Sequence, residues 1–179
     1  MRIERWDGTQ EQLIAIAELY AGAFAEPPYD EDPARSLVEF PERVRRYAEE
    51  KPEFRLLLAT EQGEFLGFVL GTGIGPDDWW WNRLNETLSE QHRALWLDQR
   101  QFAIAELVVK ASARRSGVGR ALMNDVLADL PYDSALLACY PDAVAPQRLY
   151  TSLGWTVIDP HARVSEAHPT QIMGIRLRA

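Results

Sequence analysis

The stretch from Gln101 to Leu130 constrains the fold more than any other. "QFAIAELVVK" is apolar and ends in the β-branched pair Val108-Val109, so it reads as a strand. "GVGRALMNDVLADL", from Gly117, is amphipathic at helical spacing. Between them "ASARRS" leaves only a short turn. Gly117 and Gly119 give that turn backbone freedom and let a ligand come close. The helix behind it begins with unpaired N–H groups and the positive end of its dipole. Residues 106–120 hold Lys110, Arg114, Arg115 and Arg120 against Glu106 alone, a local balance of +3 in a chain of net charge -8. A strand, a basic glycine turn and a helix together make an anion site of the phosphate-cradling kind. The competing reading is a tight turn with solvated arginines. The spacing is neither the phosphate loop G-x-x-x-x-G-K-[ST] nor the dinucleotide fingerprint G-x-G-x-x-G, and Pro76 breaks the latter in the upstream "GTGIGP".

The rest of the chain alternates in the same way. "RIERW" reads as a first strand. Thr9 is placed to cap the helix "QEQLIAIAELYAGAF", whose apolar positions are Leu13, Ile16, Ala17, Tyr20 and Phe24. Pro27 and Pro28 end it. A second helix over roughly 34–50 carries Leu37, Phe40, Val44 and Tyr47 on one face. "FRLLLATE" and "EFLGFVLGTGI" form a hairpin about Gln62-Gly63. A long connection over 76–101 has some helical character. After the central strand and helix come the strand "SALLACY", the helix "APQRLYTSLG", and the strands "WTVI" and "QIMGIRLRA". The order β-α-α-β-β-(α)-β-α-β-α-β-β predicts an α/β domain with a mixed sheet, and 179 residues suit one domain.

Several functional classes are disfavoured. An acidic chain repels phosphate backbones over most of its surface, so no nucleic-acid partner is expected. No apolar run approaches the ~18 residues of a membrane span. The opening "MRIERWDGTQEQ" has charges where a signal peptide has an apolar run, which favours a cytoplasmic location. The lone Cys139 excludes an internal disulfide framework, and His92, His161 and His168 lack metal-ligand spacing, so no metal is expected.

"LVVKASARRSGVGRALM" resembles the acetyl-CoA-binding motif of the GCN5-related N-acetyltransferases (GNAT), R/Q-x-x-G-x-G/A, filled here by Arg114, Gly117 and Gly119. A second stretch, "DAVAPQRLYTSLGWTV", is similar to the family's "N-x-x-A-x-x-LYxxLGF" block. Leu149, Tyr150, Leu153 and Gly154 fit, Trp155 replaces the usual Phe, and Ala143 stands where an asparagine is common. The resemblance covers most of the chain, so it implies a single N-acetyltransferase domain over 1–179. It further implies a mixed, mostly antiparallel, twisted sheet of about seven strands, flanked by helices and splayed at the centre. It implies that the pyrophosphate of acetyl-CoA lies on the turn Arg114, Arg115, Ser116, Gly117, Val118, Gly119 and Arg120. The pantetheine arm then runs along Leu107, Val108 and Val109, with a backbone N–H near Val108 polarising the thioester carbonyl.

Transfer of acetyl to an amine needs a neutral amine, a stabilised oxyanion and a proton for the departing thiolate. A phenol has an ordinary pKa of about 10 against about 8.5 for a thiol, so a tyrosine can return that proton. The resemblance gives this role to Tyr150, whose other reading is a core tyrosine. Glu106 is the candidate base, provided burial raises its pKa. The alternative is a solvated or salt-bridged strand residue. In "EPPYDED", the residues Tyr29, Asp30 and Glu31 are candidate acceptor contacts, or simply part of an exposed acidic loop. Trp79, Trp80 and Trp81 cannot all enter one core from a regular element. At least one should line a pocket, a cation-binding wall or an interface, including a homodimer contact. The expectation is direct acetyl transfer to the primary amine of a small cationic molecule. The alternatives are a protein lysine or N-terminal acceptor, or a non-catalytic acyl-CoA-binding sensor.

Overall fold

The computed structural model describes residues 1–97, 100–164 and 169–177. Its strands are β1 (Arg2–Arg5), β2 (Arg55–Glu61), β3 (Glu64–Ile74), β4 (Gln101–Val109), β5 (Ser134–Cys139), β6 (Thr156–Ala162) and β7 (Thr170–Arg176). Its helices are α1 (Gln10–Phe24), α2 (Pro33–Glu50), α3 (Trp79–Thr87), α4 (Glu90–Trp96), α5 (Val118–Leu127) and α6 (Val144–Ser152). The strands form one seven-stranded sheet in the order β1-β2-β3-β4-β5-β7-β6. The pairs β1/β2, β2/β3, β5/β7 and β6/β7 are antiparallel and β4/β5 is parallel. This is the mixed, mostly antiparallel α/β fold expected. The chain packs as two units, Met1–Gly71 with Glu106–Ala128, and Thr72–Ala105 with Asp129–Ala179.

In the first unit, Gln62 and Gly63 both have positive φ, 52° and 82°, in a two-residue hairpin turn that sets Glu61 opposite Glu64. Alternation along the hairpin sends Leu56, Leu58, Phe68 and Leu70 to one face. There they pack with Leu13, Ile16, Tyr20, Phe40 and Val44 of α1 and α2. Thr9 caps α1 by accepting from the amide of Gln12, as its position predicts. Asp32 caps α2 by accepting from the amide of Ala34, with Pro33 in the first turn. The apolar face of α2 needs correction. Ser36, Phe40 and Val44, four residues apart, form the buried stripe, whereas Leu37 is 44% exposed. Arg55 of β2 is buried and donates through Nη1 to the carbonyls of Val126 and Ala128, closing the C-terminal end of α5.

In the second unit, β4 pairs with β5 over Phe102–Ile104 against Ala135–Leu137. Strand β7 runs antiparallel between β5 and β6, and its register with β6 shifts twice. The connection expected over 76–101 resolves into two capped helices. Asp78 accepts from the amides of Trp80 (2.7 Å) and Trp81 (3.3 Å), and Ser89 accepts from that of His92 (3.2 Å). Leu84, Leu88 and Leu97 pack with Ile74, Ala103, Leu136, Ile158 and Ile172. Gly174 makes room for Trp96: a Cβ there would meet the indole at 2.6 Å. Arg176 stacks on the same ring at 4.6 Å and donates to the carbonyl of Leu95, fixing α4 on β7.

Candidate active site

The turn before α5 has the form the sequence suggests. Gly117 is the residue preceding the helix, in the left-handed region at φ 92°, and no side chain caps the first turn. Arg115 also has positive φ, 67°. Ser116 turns its hydroxyl away, donating to the carbonyl of Ala113 at 2.7 Å. The amides of Val118 and Gly119 have no acceptor among the described residues, while the amide of Ala121 is already bonded to Gly117. A Cβ on Gly117 would meet open space, so glycine is needed there for its backbone conformation. Adjacent open amides at the positive end of a helix fit a diphosphate.

The cations around this turn are in part already paired. Lys110 bonds Glu64, and Arg114 bonds Glu26 through Nη1 at 2.9 Å and the carbonyl of Val109 through Nε at 3.4 Å. Both pairs are substantially exposed, so an incoming anion exchanges them at little cost. Arg115 has no ion pair among the described residues.

Strand β4 leads into the turn with a defined orientation. The carbonyl of Val108 approaches Gly67 of β3, and the amide of Lys110 bonds the carbonyl of Leu66 at 2.8 Å. A residue in a strand points its N–H and C=O to the same edge. Val108 therefore addresses β3, and the polar groups of Leu107 and Val109 point to the opposite edge of β4. That edge suits strand-like contact with an extended amide chain.

Glu106 is the residue just before. It is half-buried as a residue, with its side chain 11% exposed, and Arg43 Nη2 lies 2.6 Å from its Oε1. Burial pushes its carboxyl up to about 7; Arg43 opposes the shift and Glu31 adds to it. The guanidinium of Arg43 lies over the rings of Tyr20 (5.4 Å) and Phe40 (5.2 Å). Tyr20 donates to both oxygens of Glu31, at 3.3 and 3.1 Å, and Ser36 donates to Oε2 at 3.1 Å. Burial, followed by the charge of Glu106, holds the Tyr20 phenol well above its ordinary range. Two of the residues expected from the sequence, Glu106 and Glu31, thus belong to one cluster. Arg43, Tyr20 and Ser36 were missed. Their spacing on α1 and α2 marks Tyr20 as core and gives no sign that Arg43 reaches β4, 63 residues away in sequence.

The remaining expected residues are dispersed. Tyr29 packs its ring 4.6 Å from Phe24, and Asp30 has positive φ, 49°. In the second unit, Trp80 and Trp81 pack against the core, and Trp81 Nε1 donates to the buried Gln101 at 3.0 Å. Trp79 is 65% exposed. Tyr150 is buried on α6, its ring 6.1 Å from Trp155. Trp155 Nε1 is buried without a hydrogen-bond partner among the described residues, a consequence of tryptophan standing where the family block has Phe. His168 lies outside the described residues.

These features define an acetyltransferase of the GNAT class. A model of the "Acetyltransferase (GNAT) family" matches residues 13–155, most of the chain, and the protein belongs to that family, whose acetyl donor is acetyl-CoA. Solved structures with the same fold include aminoglycoside 6'-acetyltransferase type Ii (20% identity, TM-score 0.63, 100% of this chain and 99% of that one). An aminoglycoside 6'-N-acetyltransferase complexed with coenzyme A is 16% identical (TM-score 0.64, 100% and 98% covered). The ribosomal-protein-S18-alanine N-acetyltransferase of Escherichia coli is 14% identical (TM-score 0.62, 99% and 94% covered). No curated protein sequence matches. No helix among the described residues is long and apolar enough to cross a membrane.

Proposed function

We propose that residues 1–179 form a single cytoplasmic N-acetyltransferase domain that uses acetyl-CoA to acetylate the primary amine of a small cationic acceptor directly. The observation that carries this reading is the setting of Glu106, a side chain 11% exposed with Arg43 Nη2 2.6 Å from Oε1. Burial that pushes its carboxyl up to about 7 makes it a usable base at neutral pH, unlike an ordinary glutamate. It sits immediately before Leu107-Val108-Val109, the segment along which the family's cofactor arm runs. Glu31 supports a cationic acceptor: its charge acts on Glu106, so an ammonium beside the ionised Glu106 is drawn by a second carboxylate as well.

The cofactor supplies an activated acetyl thioester. The chain's own groups divide the remaining work. The open amides of Val118 and Gly119, with Arg114, Arg115, Ser116, Gly117 and Arg120 around them, hold the diphosphate. Leu107 and Val109 offer backbone groups to the pantetheine arm. Glu106 takes a proton from the acceptor ammonium. The family block assigns Tyr150 to return a proton to the leaving thiolate. Glu31, Tyr29 and Asp30 attract the acceptor, and exposed Trp79 offers a ring face to a cation. Trp80 and Trp81 serve Trp79 by fixing α3 on the core of the second unit, and any homodimer would use the same exposed ring.

Thiol release from acetyl-CoA across a panel of polyamines, aminoglycosides and lysine peptides tests the reading. Turnover with a small polycation is expected. Turnover only with peptides would transfer the activity to a protein acceptor, and coenzyme A binding without any turnover would mark a sensor. Gly119→Trp should abolish the calorimetric signal with acetyl-CoA by filling the diphosphate space. Tyr150→Phe should keep that signal and lower turnover about 10²-fold.

A further inference from the structure

Arg43 is held more firmly than a residue in an ordinary ion pair. Its guanidinium rests on two rings, Tyr20 and Phe40, that are themselves stacked at 4.2 Å and 9°. Phe40 is 2% exposed and Tyr20 is 5% exposed, so the platform belongs to the core of the first unit. Tyr20 is further anchored by its hydroxyl on Glu31, and Glu31 by Ser36. Such a platform fixes the direction of the guanidinium fork, which a lysine ammonium cannot reproduce.

The contact with Glu106 uses one carboxylate oxygen. Nη2 meets Oε1 at 2.6 Å, and Oε2 has no hydrogen bond among the described residues. The charged and titratable groups around this pair are Tyr20 from α1, Glu31 from the loop after it, and Tyr47 from α2.

We propose that Arg43 is a positioning residue for acetyl transfer: it pins Oε1 of Glu106 and thereby presents Oε2 to the acceptor ammonium. The proton balance is simple. One N–H bond of the ammonium breaks and an O–H bond forms at Oε2; the nitrogen keeps the electron pair with which it attacks. Arg43 remains charged and bonded to Oε1 throughout, so the neutral carboxyl stays oriented for release of its proton. The proposal rests on Glu106 being the base.

The test compares Arg43→Gln, Arg43→Lys and Glu106→Gln in the full chain. The Glu106 carboxyl carbon is followed by NMR titration, alongside the pH profile of kcat/KM with acetyl-CoA and the amine that turns over. Loss of a cation in direct contact should move the Glu106 midpoint up by about one to three pH units in Arg43→Gln. The acid limb of kcat/KM should move with it, while KM for acetyl-CoA stays constant. Arg43→Lys should restore part of the midpoint and less of kcat, because it keeps the charge and loses the stacked fork. It also serves as the informative variant should Arg43→Gln not fold. A Glu106 midpoint and acid limb unchanged in either variant would overturn the proposal. Wild-type turnover in Glu106→Gln would instead overturn the assignment of the base, a result distinguishable because the carboxyl titration judges the Arg43 contact without reference to activity.

Discussion

The carbonyl oxygen of Val108 sits so close to Gly67 that a Cβ on that glycine would meet it at 2.4 Å and the Cα of Val109 at 3.1 Å. Both obstacles are backbone, so neither can rotate away. Gly67→Ala must push β3 from β4 at the residue along which the cofactor arm is proposed to run. Overpacking of a well-packed interior costs roughly 1–3 kcal/mol, and this case should lie at the upper end. Gly22→Ala is the control. Gly22 lies in helical α1 with open space where a Cβ would go, so alanine there should stabilise by about 0.5–1 kcal/mol. Urea unfolding of the two variants should therefore give opposite signs.

Arg55 ties the far end of α5 to β2. It is 6% exposed, and besides the Val126 and Ala128 carbonyls it bonds Glu53 at 3.1 and 2.8 Å. Replacing it with leucine leaves those acceptors without their cation, a loss of about 3 kcal/mol in unfolding free energy. The glycine turn proposed to hold the diphosphate lies at the other end of a ten-residue helix, about 15 Å away at the usual rise per residue. Calorimetry on folded Arg55→Leu should accordingly find acetyl-CoA affinity near that of the wild type.

Much of this architecture was readable because it depends on neighbours in sequence. Thr9, the Gln62-Gly63 turn, Gly117 and the alternating apolar strands act over a few residues. Asp78 and Ser89 carried the same kind of signal for α3 and α4 within the connection over 76–101, and would have divided it. What periodicity could not settle was the rotation of α2 about its axis. Leu37 and Ser36 are adjacent, and only packing against Phe68 and its neighbours decides that the serine stripe turns inward. The cluster around Glu106 was legible residue by residue but not as a cluster. Glu106 and Glu31 stood out for their types, whereas Arg43 looks like any solvated helix arginine until the fold brings it to β4. The pairing of Arg114 with Glu26, 88 residues apart, was hidden for the same reason.

The Glu106 carboxyl also makes stability depend on pH. Its ordinary value is 4.5, and in the fold it is pushed up to about 7. Below pH 4.5 both states hold the proton. Between pH 4.5 and 7 the unfolded chain releases it while the folded chain keeps it, so the stability contributed by this group falls as pH rises. The slope reaches at most about 1.4 kcal/mol per pH unit, and it flattens above the folded midpoint. Glutamine cannot titrate, so the unfolding free energy of wild type minus that of Glu106→Gln should decline across this window and then level off. Urea titrations at closely spaced pH values measure it. A difference that rises with pH would mean that Glu106 is held as a stabilised anion, which is incompatible with a base poised near neutrality.

The tryptophan run separates by the same logic into one surface residue and two structural ones. Trp81 donates to Gln101, a side chain 2% exposed, so Trp81→Phe strands a buried acceptor at a cost of about 1–3 kcal/mol. Trp79 is 65% exposed, and truncation there should change stability by no more than about 0.5 kcal/mol. Trp79 opens α3 directly after Asp77 and Asp78 in sequence, and its exposed ring offers a passing cation an aromatic face. If Trp79 contributes to acceptor binding, Trp79→Ala should raise KM for a cationic amine several-fold while KM for acetyl-CoA and the melting temperature stay put. A cation–π contact of about 0.5–1 kcal/mol sets that scale. If the ring instead serves a contact between two copies of the chain, the same substitution should leave KM alone and change the sedimentation behaviour with concentration. Steady-state kinetics and sedimentation on one variant therefore decide which of the two uses the exposed ring has.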